Sequence, residues 1–201
     1  VLFLLEPDVR SGLEDLLSEY GVSAGRSRVK DLESHYWADP STPAISNYPR
    51  HRVTRDLPLS FFPGAIELRP AQRPSNRRLR TDVLISTGLK SVLEGEEDSF
   101  GPRTLGVITK DLDTEAVLIV IGDGDFSTNS FFGQLGNGPL FIKLINELTR
   151  NENFADISPR HYVEGSLTLS RNQLSIVFLT NVFLGPLILL FVGVVIWRSR
   201  R

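Results

Sequence analysis

The 201-residue chain carries 22 basic and 24 acidic side chains, a formal charge of −2, and neither Cys nor Met. The near-neutral balance argues against a dedicated nucleic-acid binder, and the absence of thiols excludes disulfides and thiolate metal sites. About 170 residues precede a last apolar stretch, enough for one domain with a real core, so one domain plus one anchor is the simplest organisation.

Val1-Leu-Phe-Leu-Leu5 reads as a buried strand entering a turn at Glu6-Pro7. Val9, Leu13, Leu16, Leu17 and Tyr20 then recur at helical spacing, and Gly21 is placed to end that helix in the left-handed conformation. Because the chain opens inside an apolar run without Met, a membrane segment upstream of it is expected. Residues 22–30 suit a returning strand. Pro40, Pro43, Pro49 and Pro58 then make 31–58 an ordered surface excursion. Within it, Tyr36 and Trp37 either stack on a sugar ring or pin the loop to the domain.

Residues 59–68 read as extended. Arg69, Arg73, Arg77, Arg78 and Arg80 follow, either a solvated loop or a patch for anionic lipid. Residues 83–85 and 105–109 are short strands, and Glu94, Glu96, Glu97 and Asp98 form an acidic loop between them.

The strongest signal before the last stretch is EAVLIVIGDGDFSTN, residues 115–129. Six consecutive apolar residues, 116–121, have the pattern of a strand buried on both faces, as in the centre of a parallel sheet. An α/β domain with a largely parallel sheet is therefore expected over residues 1–170, with ligands at the C-terminal edge of the strands, where Asp123, Asp125 and Asn129 stand. Asp123, Asp125, Ser127 and Asn129 repeat the first spacings of a calcium loop, but Thr128 replaces the required Gly and Gln134 the bidentate Glu, so an EF-hand is excluded. Two readings of the aspartates stay open: a magnesium or hydrolase site, or acceptors for backbone N–H groups in a tight turn. Asn137-Gly138-Pro139 opens a helix whose apolar face carries Leu140, Phe141, Leu144, Ile145 and Leu148.

His35, His51 and His161 share no ligand or triad spacing, and GxSxG, GxGxxG and P-loop signatures are absent. No catalytic residue, cofactor or resident metal is assigned.

The last stretch, 176–197, begins at Ile176, passes Pro186 and ends at Trp197, with Arg198, Arg200 and Arg201 beyond it. As one helix it would be about 33 Å long, enough for a bilayer core. It is expected to span the membrane after a linker at 171–175. The arginine-rich tail, 198–201, then lies in the cytoplasm and the domain outside it, in the inner or plasma membrane.

Together, LLEP, EYGV, YPRHRVT, VLISTG, VIGDGDFSTN, GNGPLFIKLINELT and a spanning helix with a midway proline resemble the auxiliary domain of GldG-type, gliding-motility-associated proteins linked to ABC transporters. The resemblance implies a Rossmann-like, glutamine-amidotransferase-like α/β domain without a catalytic cysteine, working with a separate ABC permease and ATPase. It matches Asp123, Asp125 and Asn129 to the family's GD-x-DF-x-x-N signature and Asn137 to its following asparagine. The function expected is a non-enzymatic, membrane-anchored accessory subunit of a transport system, binding a small molecule, glycan or partner protein at those residues. The alternatives are a carboxylate or metal-dependent hydrolase of envelope carbohydrate and an envelope scaffold without a small ligand.

Overall fold

The computed structural model describes residues 1–7, 12–71, 77–149 and 178–200, which fall into two units divided between Ile157 and Ser158. The first unit is β-rich. Its largest sheet has four strands in the order β1 (Leu2–Leu4), β10 (Val117–Ile121), β9 (Thr104–Asp111) and β7 (Leu79–Ser86). Only the β1–β10 pair is parallel; β10–β9 and β9–β7 are antiparallel. Two further antiparallel sheets complete it: β6 (Ile66–Pro70), β2 (Val22–Asp31) and β8 (Ser91–Leu93), then β3 (His35–Tyr36), β4 (Asp39–Ile45) and β5 (Ser60–Phe61). The helices are α1 (Glu14–Glu19) and α2 (Asn137–Thr149).

This corrects the expectation of a largely parallel, Rossmann-like α/β sheet. The apolar run of β10 arises because both faces of the strand are covered, one by a helix and the other by a second sheet. Ile119 and Ile121 pack in a cluster with Leu140 and Leu144 of α2, whereas Leu118 and Val120 pack with Val22, Ile66 and Leu68 of the β6–β2 pair and Leu17 of α1. Each such side chain contributes about 1.5 to 3 kcal/mol when removed from water, whatever the direction of the neighbouring strand.

Several local readings hold. Gly21 follows α1 with φ 70°, and its N–H donates to the carbonyl of Ser18, ending the helix as the spacing predicts. The helix opening at Asn137 forms, with Leu140 and Leu144 fully buried. Residues 59–68 divide into β5 and the start of β6 rather than forming one strand.

In the second unit the anchor expectation is corrected. A π-helical segment, Thr180–Leu184, interrupts the apolar stretch, and the α-helix that follows it, α3 (Gly185–Ser199), has 15 residues. At 1.5 Å per residue α3 is about 22 Å long, against about 30 Å for a bilayer core. Among the described residues no helix is long and apolar enough to cross a membrane. The expectations of a transmembrane helix, an extracytoplasmic domain and a single-span ABC transporter subunit in the inner membrane therefore lose their basis; Pro186, Trp197 and Arg198 lie in α3 and Arg200 follows it. Ile176, Arg201, Val9, Arg73, His161 and the 171–175 linker lie outside the described residues.

Candidate functional site

Because β1 and β10 run parallel, their C-terminal ends leave the sheet at the same edge. The register pairs Leu4 with Ile121, so two residues further on Glu6 stands beside Asp123. Between them the backbone is held tightly: Leu5 N–H donates to Ile121 O at 2.9 Å, Gly122 N–H to Leu105 O at 2.8 Å, and Ile66 N–H to Gly122 O at 2.6 Å. A Cβ at Gly122 would collide with the carbonyl oxygen of Ile66, so only glycine lets β6 approach this closely.

Asp123 is fully buried at this edge. Its Oδ1 accepts the N–H of Asp125 at 2.9 Å, closing a turn that runs into one turn of 3₁₀ helix, Asp125–Ser127, with Phe126 buried beneath. Glu6 Oε1 accepts the N–H of Gly124 at 2.8 Å. One carboxylate oxygen from each of Glu6, Asp123 and Asp125 lies within 4.8 Å of the other two. Burial, with the negative charges of Glu6 and Asp125 adding to it, pushes the Asp123 carboxyl up to about 8 although backbone N–H bonds favour its ionised form. Its other oxygen, Oδ2, is buried without a hydrogen-bond partner.

Two other buried aspartates close turns in the same way. Asp31 Oδ1 accepts the N–H groups of Glu33 and Ser34, and Asp111 Oδ1 those of Asp113 and Thr114. Their second oxygens are both engaged: Asp31 Oδ2 by the Ser91 hydroxyl at 3.0 Å, Asp111 Oδ2 by the Arg77 guanidinium at 3.4 Å. Asp123 departs from this pattern.

The structure thus brings Asp123 and Asp125 together and adds Glu6. The other two predicted residues stand apart in role. Asn137 is fully buried and committed to the backbone: its Oδ1 accepts Phe61 N–H at 2.8 Å, and its Nδ2 donates to Phe61 O at 3.0 Å and Phe126 O at 3.1 Å. It brackets β5 to the 3₁₀ turn at Asp125–Ser127, with three of its four hydrogen-bonding positions taken by backbone groups. Asn129 lies in an exposed turn. Glu6 was missed because the parallel pairing that places it spans more than 110 positions; the usable signal was the LLEP strand ending in a carboxylate.

Chemically, Asp123 and Asp125 do not form an open acid–base pair, since the first is sealed from solvent and the second is exposed. The carboxylates Glu6, Asp123 and Asp125 are the group suited to a hard cation.

The remaining candidates resolve individually. The arginines of the basic loop pair with carboxylates: Arg69 with Glu67, Arg77 with Glu19 and Asp111, Arg78 with Asp113, and Arg80 with Asp82. In the acidic loop Glu94 and Glu97 meet Lys30. His51 borders a shallow cleft of about 550 Å³ formed by residues 46–57, where its Nδ1 accepts Val53 N–H; burial lowers its pKa, against the opposing pull of Glu147. Tyr36 packs edge-on against Phe61 and Phe131, with ring centroids at 4.7 and 6.0 Å, and so pins its hairpin to the domain. Trp37 does not: it is 85% exposed, with φ 53°.

No family model matches the chain, and no curated protein sequence matches it either. Among solved structures it is similar to the "mmIFT52 N-terminal domain", with a TM-score of 0.57 and 16% sequence identity over 74% of this chain. The match spans 64% of that domain's own length. At this identity the likeness shows the fold alone.

Proposed function

We propose that the β-rich unit is a non-enzymatic recognition module that binds a protein partner through the hairpin bearing Trp37. The observation that carries this reading is the state of that one residue. A left-handed backbone at a residue with a bulky side chain costs about 1 to 3 kcal/mol, and an indole left in water forgoes its burial. Neither feature serves the fold, because neighbouring Tyr36 already anchors the hairpin on Phe61 and Phe131. Tyr36 packs on Phe131, and the loop that carries Phe131 also exposes Phe132 and Leu135, side chains of the kind an interface buries.

A buried Asp123, an Asn137 tied to backbone groups and the separate placement of His35 and His51 support the non-enzymatic part of the proposal. The transport setting implied by the GldG-type resemblance is not carried forward, since among the described residues no helix is long and apolar enough to cross a membrane. The fold neighbour is, by its name, one domain of a longer protein, and it suggests no chemistry.

A photo-crosslinking residue at position 37 of the full chain, with the same residue at the exposed Leu89 as control, tests this in the native cell. A discrete protein adduct from position 37 alone is expected. With that partner purified, Trp37→Ala weakens binding by about 2 kcal/mol or more, roughly 30-fold, and leaves the melting temperature unchanged. Equal adducts from both positions, or an unaltered affinity in Trp37→Ala, would refute the reading. So would quenching of Trp37 fluorescence in a Trp197→Phe background by glycans but by no protein.

A further inference from the structure

Three times in this fold a buried aspartate closes a turn with one oxygen. In two of them a side chain of the protein meets the second oxygen, the hydroxyl of Ser91 at Asp31 and the guanidinium of Arg77 at Asp111. In the third no protein group does so, although Asp123 is the most deeply buried of the set, at 0% exposure. An unpaired carboxylate oxygen in a protein interior costs several kcal/mol, so such an oxygen calls for a partner.

We propose that Glu6, Asp123 and Asp125 bind a Ca²⁺ ion, with Asp123 Oδ2 as the buried donor and the carboxylates of Glu6 and Asp125 closing the site from the solvent side. This stands independently of the Trp37 surface. Among the described residues no cationic side chain pairs with any of the three carboxylates. Glu6 and Asp123 are held in place by the N–H bonds from Gly124 and Asp125, so the ligand set is organised before the ion arrives.

The donor set favours calcium. Three carboxylate oxygens within 4.8 Å of one another are close enough to share one Ca²⁺, whose oxygen ligands sit at about 2.3 to 2.6 Å in a flexible geometry. Magnesium demands near-ideal octahedral geometry, keeps several waters and commonly uses only one or two carboxylates. Asp125 is exposed and provides the route of entry.

The test uses the full chain stripped with EDTA, titrated with CaCl₂ by calorimetry and followed by thermal melting. One Ca²⁺ per chain is expected, with a Kd between about 10 µM and 1 mM and a rise in melting temperature. Asp125→Asn, at an exposed position, weakens binding about tenfold or more, while its melting temperature in EDTA equals that of the parent. Asp123→Asn keeps the Oδ1 acceptor that closes the turn and abolishes the calcium response. A Glu94→Gln/Glu97→Gln variant of the acidic loop binds as the parent does. The proposal is overturned by no heat and no thermal shift at about 10 mM Ca²⁺, by a response that survives both aspartate substitutions, or by tighter binding of Mg²⁺ than of Ca²⁺.

Discussion

Asp111 and Asp123 lie at opposite ends of the same sheet, since β9 and β10 are antiparallel, and both use Oδ1 to close a turn onto the next backbone N–H groups. Their surroundings differ. Beyond Asp111 the chain opens to solvent at Leu112, 52% exposed, and the half-exposed Arg77 reaches in to the carboxylate from the side. Beside Asp123 the backbone of Gly122 is pressed onto Ile66, and among the described residues no side chain meets the second oxygen of the carboxylate. The amide bonds, chiefly that from Asp113, hold Asp111 below the usual carboxylate range, with the charge of Arg77 assisting, whereas burial drives Asp123 up to about 8. The lesson is that a turn's amides stabilise one oxygen only. What meets the other decides whether a buried carboxylate is a finished structural element or an unfinished site.

The sharpest way to break this comparison is to attack the packing that separates the two ends. Gly122→Ala forces a methyl group into the Ile66 carbonyl, a backbone atom that cannot step aside, and is expected to destabilise the domain by about 3 kcal/mol or more. Leu112→Ala, the matching change beyond Asp111, shortens a half-exposed side chain and should cost about 1 kcal/mol or less. Urea unfolding of both variants measures the difference. Equal costs would mean that close approach at Gly122 does not shape the Asp123 environment.

How far the sequence could be read follows the range of the interactions. The helix ending at Gly21 and the helix opening at Asn137 depend on neighbours within a few residues, and both were legible. The apolar run of β10 was correctly read as buried on both faces, but burial does not encode strand direction, and a helix on one face with a second sheet on the other serves as well as parallel neighbours. Counting apolar residues from 176 to 197 presumed an unbroken α-helix, and the π segment at Thr180–Leu184 is invisible to such a count. At the site, the GDGD turn announced Asp123 and Asp125, while Glu6 and the bracket from Asn137 to Phe61 depend on long-range pairing that no local pattern carries.

The next largest effect is at Asp123 itself. With divalent ions chelated, its elevated folded-state pKa means that the fold prefers the protonated acid. Its contribution to stability is therefore full below the unfolded value near 3.8 and is lost as pH rises from there toward about 8. At pH 7 in EDTA, Asp123→Asn should be more stable than the parent by roughly 2 kcal/mol or more, an amount set by the size of that shift. Saturating Ca²⁺ should stabilise the parent and leave the variant unmoved. Equal stabilities in EDTA at pH 5 and pH 7 would show that Asp123 is not destabilised by its burial.

The smallest effect belongs to Asp111 and has the opposite sign. Its folded-state pKa lies below the unfolded value of 3.8, so its contribution is present above that value and is lost as pH falls through the folded one. Arg77→Ala removes the guanidinium from Oδ2 but leaves the N–H bonds from Asp113 and Thr114 on Oδ1, which are the larger cause of the depression. The acid limb of the stability profile should therefore move only slightly in this variant. Asp111→Asn, which alone removes the ionisable group, should flatten that limb. If Arg77→Ala flattens it as completely as Asp111→Asn does, the guanidinium and not the turn sets the state of Asp111. An aspartate in this fold would then need a charged partner to be finished, and the contrast with Asp123 would widen.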